Sequence, residues 1–148
     1  MRKVLFIGML CTLLSVPLLL RAQEDDSLYR TLIEQLYENV YNDGDTQLIN
    51  ALVAEDYVDH GQPRWSTRSD IAYIVHNLHN RLPDLQVTIQ NWYVKGDLVA
   101  VEVVFNGTLD GYQRTMWALI DIYRIEDDKI AEAWHVPLGA DYDKSPRA

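Results

Sequence analysis

From Leu85 to Val136 the chain is written with period two, and short polar breaks divide it into runs. Leu85 to Val94 alternates, Lys95-Gly96-Asp97 turns, and Leu98 to Leu109 returns. Asp110-Gly111 is a two-residue hairpin signal, and Thr115 to Val136 is a further hairpin broken at Glu126-Asp127-Asp128. Breaks this short join antiparallel neighbours, because a parallel connection needs a crossover of a dozen residues or more. Along the second run Val99, Val101, Val103 and Phe105 share one face. Glu102, Asn106 and Thr108 share the other, with Ala100 and Val104, which is the pattern of a strand with one buried face. The second half of the chain is therefore a four-stranded antiparallel sheet with one side that must be covered.

The first half supplies the cover. Ser27 to Asn42 carries Leu28, Leu32, Ile33, Leu36, Tyr37 and Val40 at helical spacing, and Asn42-Asp43-Gly44-Asp45 stops it. Asp45 caps a short helix over Thr46 to Ala54. Glu55 to His60 is extended, with Tyr57 and Asp59 on one side and Val58 and His60 on the other. Gly61 to Ser66 is a loop whose Trp65 either folds back on the core or forms part of a lid. Thr67 to Leu82 is a third helix, opened by a Thr67/Asp70 capping box and closed before Pro83. His76 and His79 are spaced as a metal site could use, but nothing nearby completes a ligand set, and they read as surface histidines. Helices followed by strands define an α+β fold, three N-terminal helices packed on a curved antiparallel sheet, with a hollow between them.

Residues 1–23 have the layout of a secretory signal: Arg2 and Lys3, an apolar run from Val4 to Leu20, and a small residue, Ala22, before Glu24-Asp25-Asp26. An uncleaved anchor is the alternative, since the run is nearly long enough to span a bilayer. Cleavage places the protein in the periplasm or outside the cell, leaves residues 24–138 as one domain and 139–148 as a polar tail, and ends stable membrane association. It also removes Arg2, Lys3 and Arg21, so the net charge of −9 becomes −12. So acidic a domain is a poor partner for nucleic acid, whose phosphates need a basic patch. The single cysteine, Cys11, lies in the leader, so no intrachain disulfide and no thiolate metal site can form.

Asp121 stands between Ile120 and Ile122, with Leu119 and Tyr123 beyond them. A carboxylate there either points to solvent from the wet face or is buried, and burial demands a partner. If Asp127-Asp128 is a two-residue turn, Glu126 pairs with Lys129 and Asp121 with Trp134, which sets His135 on the opposite face. A tight Asp110-Gly111 turn pairs Asp121 with Ala100 and leaves it outside. A bulge that shifts the register by one would bring it in.

The segments LYENVYNDGD (36–45), EDYVDH (55–60), RLPDLQV (81–87), GDLVAVEVVFNGT (96–108) and IDIYRIEDDKIAEAW (120–134) together resemble a SnoaL-like domain, the polyketide-cyclase branch of the nuclear transport factor 2-like superfamily. The resemblance covers residues 28–137. It implies an α+β cone, a strongly bent sheet around helices with an apolar pocket at one end, often dimeric through the sheet. It implies a catalytic aspartate at Asp121, hence the shifted register, and a pocket histidine at His60. Two departures stand out: only Asp110 to Arg114 bridge a connection that is longer in the cyclases, and Asp128 replaces the usual glycine of the last turn.

Aldol closure or isomerisation beside a carbonyl needs a base for a carbon-bound proton and a donor for the enolate. Asp121 would be the base, His60 the orienting partner, and Tyr41, Tyr57, Trp65, Trp117 and Trp134 the walls of an apolar site, with His135 in a secondary place. No cofactor is called for. The competing reading is a non-catalytic module that binds a small apolar molecule, or a second copy of itself, with the same hollow.

Overall fold

The computed structural model describes residues 26–61, 66–109 and 111–139. The leader at 1–23, Trp65 and residues 140–148 of the tail lie outside them.

Helix α1 covers 26–42 and widens into a π-helical stretch over Leu36–Asn42. Leu32, Ile33, Leu36, Tyr37 and Val40 are buried, whereas Leu28, expected on the same stripe, is 45% exposed. The Asn42 side chain ties the helix end to the sheet. Its amide donates to the Val87 carbonyl at 3.0 Å and its oxygen accepts from the Val87 N–H at 2.6 Å, as a neighbouring strand would. Gly44, at φ +75°, makes the reversal. Asp45 then accepts from the Gln47 N–H at 3.1 Å, and α2 follows as a 3-10 turn, Thr46–Leu48, and an α turn, Ile49–Leu52. It is shorter than expected because β1, Val53–Asp59, begins two residues earlier. Helix α3, Arg68–Arg81, starts where the Asp70 carboxylate accepts from the Thr67 N–H at 3.0 Å. It buries Ile71 and Val75. His76 is exposed, and His79 Nε2 lies 2.8 Å from the Tyr41 carbonyl.

Strands β2 (Gln86–Lys95), β3 (Leu98–Leu109), β4 (Tyr112–Glu126) and β5 (Lys129–Pro137) form the expected meander. β1 joins it parallel to β5, so the sheet is mixed, in the order β1-β5-β4-β3-β2, not wholly antiparallel. The long connection from β1 to β5, through α3 and the rest of the meander, allows that parallel pairing. Val99, Val101 and Val103 on the inner face are fully buried, each contributing roughly 1.5–3 kcal/mol.

Two irregularities decide what the inner face carries. Between Phe105 and Asn106 the β3–β4 register slips by one, so Asp121 pairs with Val101 and turns inward. Between Arg124 and Ile125 the β4–β5 register slips as well. The tight turn does pair Glu126 with Lys129, but Ala131 is then skipped, and Asp121 faces His135 instead of Trp134. The turn itself uses positive φ at both Asp127 (48°) and Asp128 (60°), the type I′ geometry in which glycine is normally preferred.

Candidate functional site

Strand β4 delivers Asp121 to the floor of the hollow, where it is 2% exposed. Each carboxylate oxygen has a partner. Tyr37 of α1 donates its hydroxyl to Oδ2 at 2.5 Å, and His135 Nδ1 lies 2.7 Å from Oδ1. The Tyr37 hydroxyl also meets that of Tyr123 at 2.6 Å. The other ring nitrogen of His135, Nε2, lies 3.0 Å from Oδ2 of Asp59 at the end of β1. Asp59 is itself 7% exposed and its Oδ1 accepts from the Gly61 N–H at 2.7 Å. One imidazole thus bridges two buried carboxylates contributed by non-consecutive strands.

An imidazole with a carboxylate on each side carries both protons. Burial alone would lower the pKa of His135, but its hydrogen bonds to Asp121 and Asp59 and their charges outweigh that and raise it from 6.5 to about 10. His135 is therefore a fixed cation at neutral pH. Tyr37 and Tyr123 are pushed well above the usual phenol range by burial first and by the Asp121 charge second. Tyr41 and Tyr57 are pushed up too, by burial and by the charges of Asp121 and Asp59. All four phenols are neutral donors.

Beside this cluster lies a cavity of about 20 Å3, partly open to solvent, with room for about one water molecule. Tyr41, Tyr57, Asp59, Tyr123 and His135 supply its polar wall, and Leu36, Val53, Ile71, Ile74 and Ile130 its apolar one. Asp121 is not among the lining residues and meets the cavity through His135 and Tyr123.

Of the residues expected at the site, Asp121, His135, Tyr41 and Tyr57 come together. His60 and Trp134 do not. His60 follows Asp59, which points inward, so it points outward. It stacks on Trp134 at 4.6 Å and sits 2.6 Å from Glu132 on the outer face. The skipped residue in β5 sends Trp134 to that face and His135 to the inner one. Trp117 is 39% exposed and packs edge-on against Phe105, away from the cavity. Tyr37, Asp59, Tyr123 and Gly61 were not anticipated. The alternation that puts Tyr57 with Asp59, and Asp121 with Tyr123, was the available signal for two of them.

A bent sheet with helices on its concave side and a polar cluster in the hollow is the cone of the nuclear transport factor 2-like superfamily, a fold that binds or transforms small molecules. The chain belongs to the SnoaL-like polyketide cyclase family, whose model matches residues 31–141. It is similar to the structure of a proposed polyketide cyclase from Bacillus cereus, with 26% identity over 72% of this chain and 71% of that one and a TM-score of 0.66. IdmH, a proposed polyketide cyclase from Streptomyces antibioticus, shares the fold at 24% identity over 73% and 90% of the two chains, TM-score 0.64. So does an epoxide hydrolase from M. tuberculosis, at 15% identity over 76% and 84%, TM-score 0.61. No curated protein matches the chain in sequence.

Proposed function

We propose that this is an exported, cofactor-independent acid–base enzyme acting on an apolar carbonyl compound, by enolisation leading to ring closure or isomerisation. The observation that carries the reading is the His135 imidazole held between Asp121 and Asp59 at 2.7 and 3.0 Å. Asp59 is the carboxylate at the cavity wall, and each of its oxygens keeps a lone pair free of His135 and Gly61. In this reading Asp59 accepts the carbon-bound proton. His135 holds the Asp59 carboxylate in place through Oδ2 and stabilises the negative charge that develops on the substrate. Asp121 acts through His135 as a positioning residue, holding the ring and its second proton. Export rests on the leader sequence alone, and pairing of two copies through the sheet rests on family resemblance.

The test is exchange of α-hydrogens of cyclic ketones for deuterium in heavy water, followed by NMR. Wild type should accelerate exchange over buffer. Asp59→Asn should abolish the acceleration, and Asp121→Asn should reduce it while leaving ketone affinity in place. Exchange at the buffer rate in wild type refutes catalysis of this kind. A cavity that holds only about one water favours the second reading, a binding module whose Asp121–His135–Asp59 bridge is structural. Under that reading Asp59→Asn changes stability and not exchange.

A further inference from the structure

The hydroxyls of Tyr41 and Tyr57 stand apart from every other polar group at the site. Tyr37, Tyr123, Asp59, Asp121 and His135 all pair with one another or with backbone. Tyr41 uses its carbonyl, with His79, but its hydroxyl makes no hydrogen bond among the described residues, and neither does that of Tyr57. Tyr57 is nevertheless only 6% exposed. Among the described residues no solvent-inaccessible side-chain nitrogen or oxygen lacks a partner. These two unpaired hydroxyls are therefore reached by solvent, and both residues line the cavity. Neither hydroxyl has an acceptor among the described residues, so the cavity wall carries two unused donors that an incoming acceptor would engage.

We infer that Tyr41 and Tyr57 form a two-donor seat for a single ligand oxygen, with the cavity beside Asp59 and His135 as its socket. The occupant is a ketone or aldehyde oxygen. Both phenols are neutral, so each offers one proton and the seat needs an acceptor. A carboxylate is disfavoured, because Asp59 and Asp121 already place two negative charges against the one positive charge of His135. The socket is the size of one oxygen with its hydrogen-bonding room, so the carbon frame of the ligand lies towards the opening. The inference deepens the proposed acid–base reading and rests on it for its role, since a carbonyl seated there becomes the enolate oxygen. As a binding statement it can be tested separately.

The experiment uses the full chain, with cyclohexanone carrying a carbon-13 carbonyl as probe and methylcyclohexane as the oxygen-free match. Binding is read by NMR titration and the carbonyl band by infrared difference spectra. Wild type should bind the ketone more tightly than the hydrocarbon and move the band to lower frequency. Tyr41→Phe and Tyr57→Phe should each weaken ketone binding by roughly 3- to 10-fold, leave the hydrocarbon unaffected, and return the band stepwise towards its free value. Neither substitution should lower the melting temperature, because the hydroxyl removed has no partner in the fold. A double variant with unchanged ketone affinity overturns the seat. So does an unshifted band in wild type, or a crystal with the ketone elsewhere and a water between the two phenols. Asp59→Asn separates the two proposals: a retained band shift without α-exchange supports the oxygen seat whatever becomes of catalysis.

Discussion

The bridged imidazole makes a stability prediction that needs no substrate. His135 is raised from 6.5 to about 10 in the folded chain, whereas the unfolded chain titrates near the ordinary value. A raised folded pKa means that the native state binds the proton more tightly. The stabilisation is therefore complete below about pH 6.5 and is lost as the pH climbs to about 10. At about 1.4 kcal/mol per unit, the full shift is worth at most about 5 kcal/mol. The side chain is 20% exposed, so water screens part of this, and a loss of about 2–4 kcal/mol by pH 9.5 is expected. Urea denaturation curves at half-unit steps from pH 6 to 9.5 would read it, with the midpoint falling continuously. The range stops short of the buried phenols, whose raised pKa values withdraw stability only above about pH 10. Asp59→Asn removes one of the two anions on the ring. It should flatten the slope and end the decline at lower pH, while other histidines contribute equally to both curves. A wild-type midpoint that stays level over this range, or an Asp59→Asn curve parallel to it, would refute the doubly held cation.

Tyr37→Phe removes the bonds to Asp121 and Tyr123 and leaves a buried carboxylate oxygen bare; the expected cost is about 2–4 kcal/mol in denaturant titrations. Gly61→Ala would place a Cβ 2.9 Å from His135 Cδ2 and 3.3 Å from Asp59 Oδ1. It should destabilise by about 1–3 kcal/mol and shift the His135 imidazole resonances in NMR spectra. Asp128→Gly relieves a side chain held at φ 60° in the last hairpin and should raise stability by about 0.5–1 kcal/mol, seen as a higher melting temperature.

The layout of the fold could be read from residue spacing because helical and strand periods occupy separate halves of the chain. The turns at Gly44 and Gly96 fall where glycine permits positive φ, and the last hairpin turns at its polar break, Asp127-Asp128, without the usual glycine. The inward turn of Asp121 was reachable only through the family resemblance, since the Asp110-Gly111 turn by itself implied the other register. Beyond that, alternation misled. The skipped residue in β5, Ala131, is 7% exposed, and nothing in the letters AEAW announces the skip. Counting from the turn alone pairs Asp121 with Trp134 and sets His135, a secondary candidate, on the opposite face, the reverse of the structure. Asp59 was legible as a neighbour of Tyr57, but its partner is a histidine 76 residues away, brought near by a parallel pairing that spacing does not encode.

That skipped residue also bears on how such a protein could diverge. With the hairpin turn fixed, deleting Ala131 would rotate the end of β5 by half a pleat, exchanging an indole for the imidazole beneath the helices. A single lost codon would thus take the imidazole away from Asp121 and Asp59 and set an indole beside them. Related chains could gain or shed their chemistry by changes in strand length alone, with every functional side chain still present in the gene.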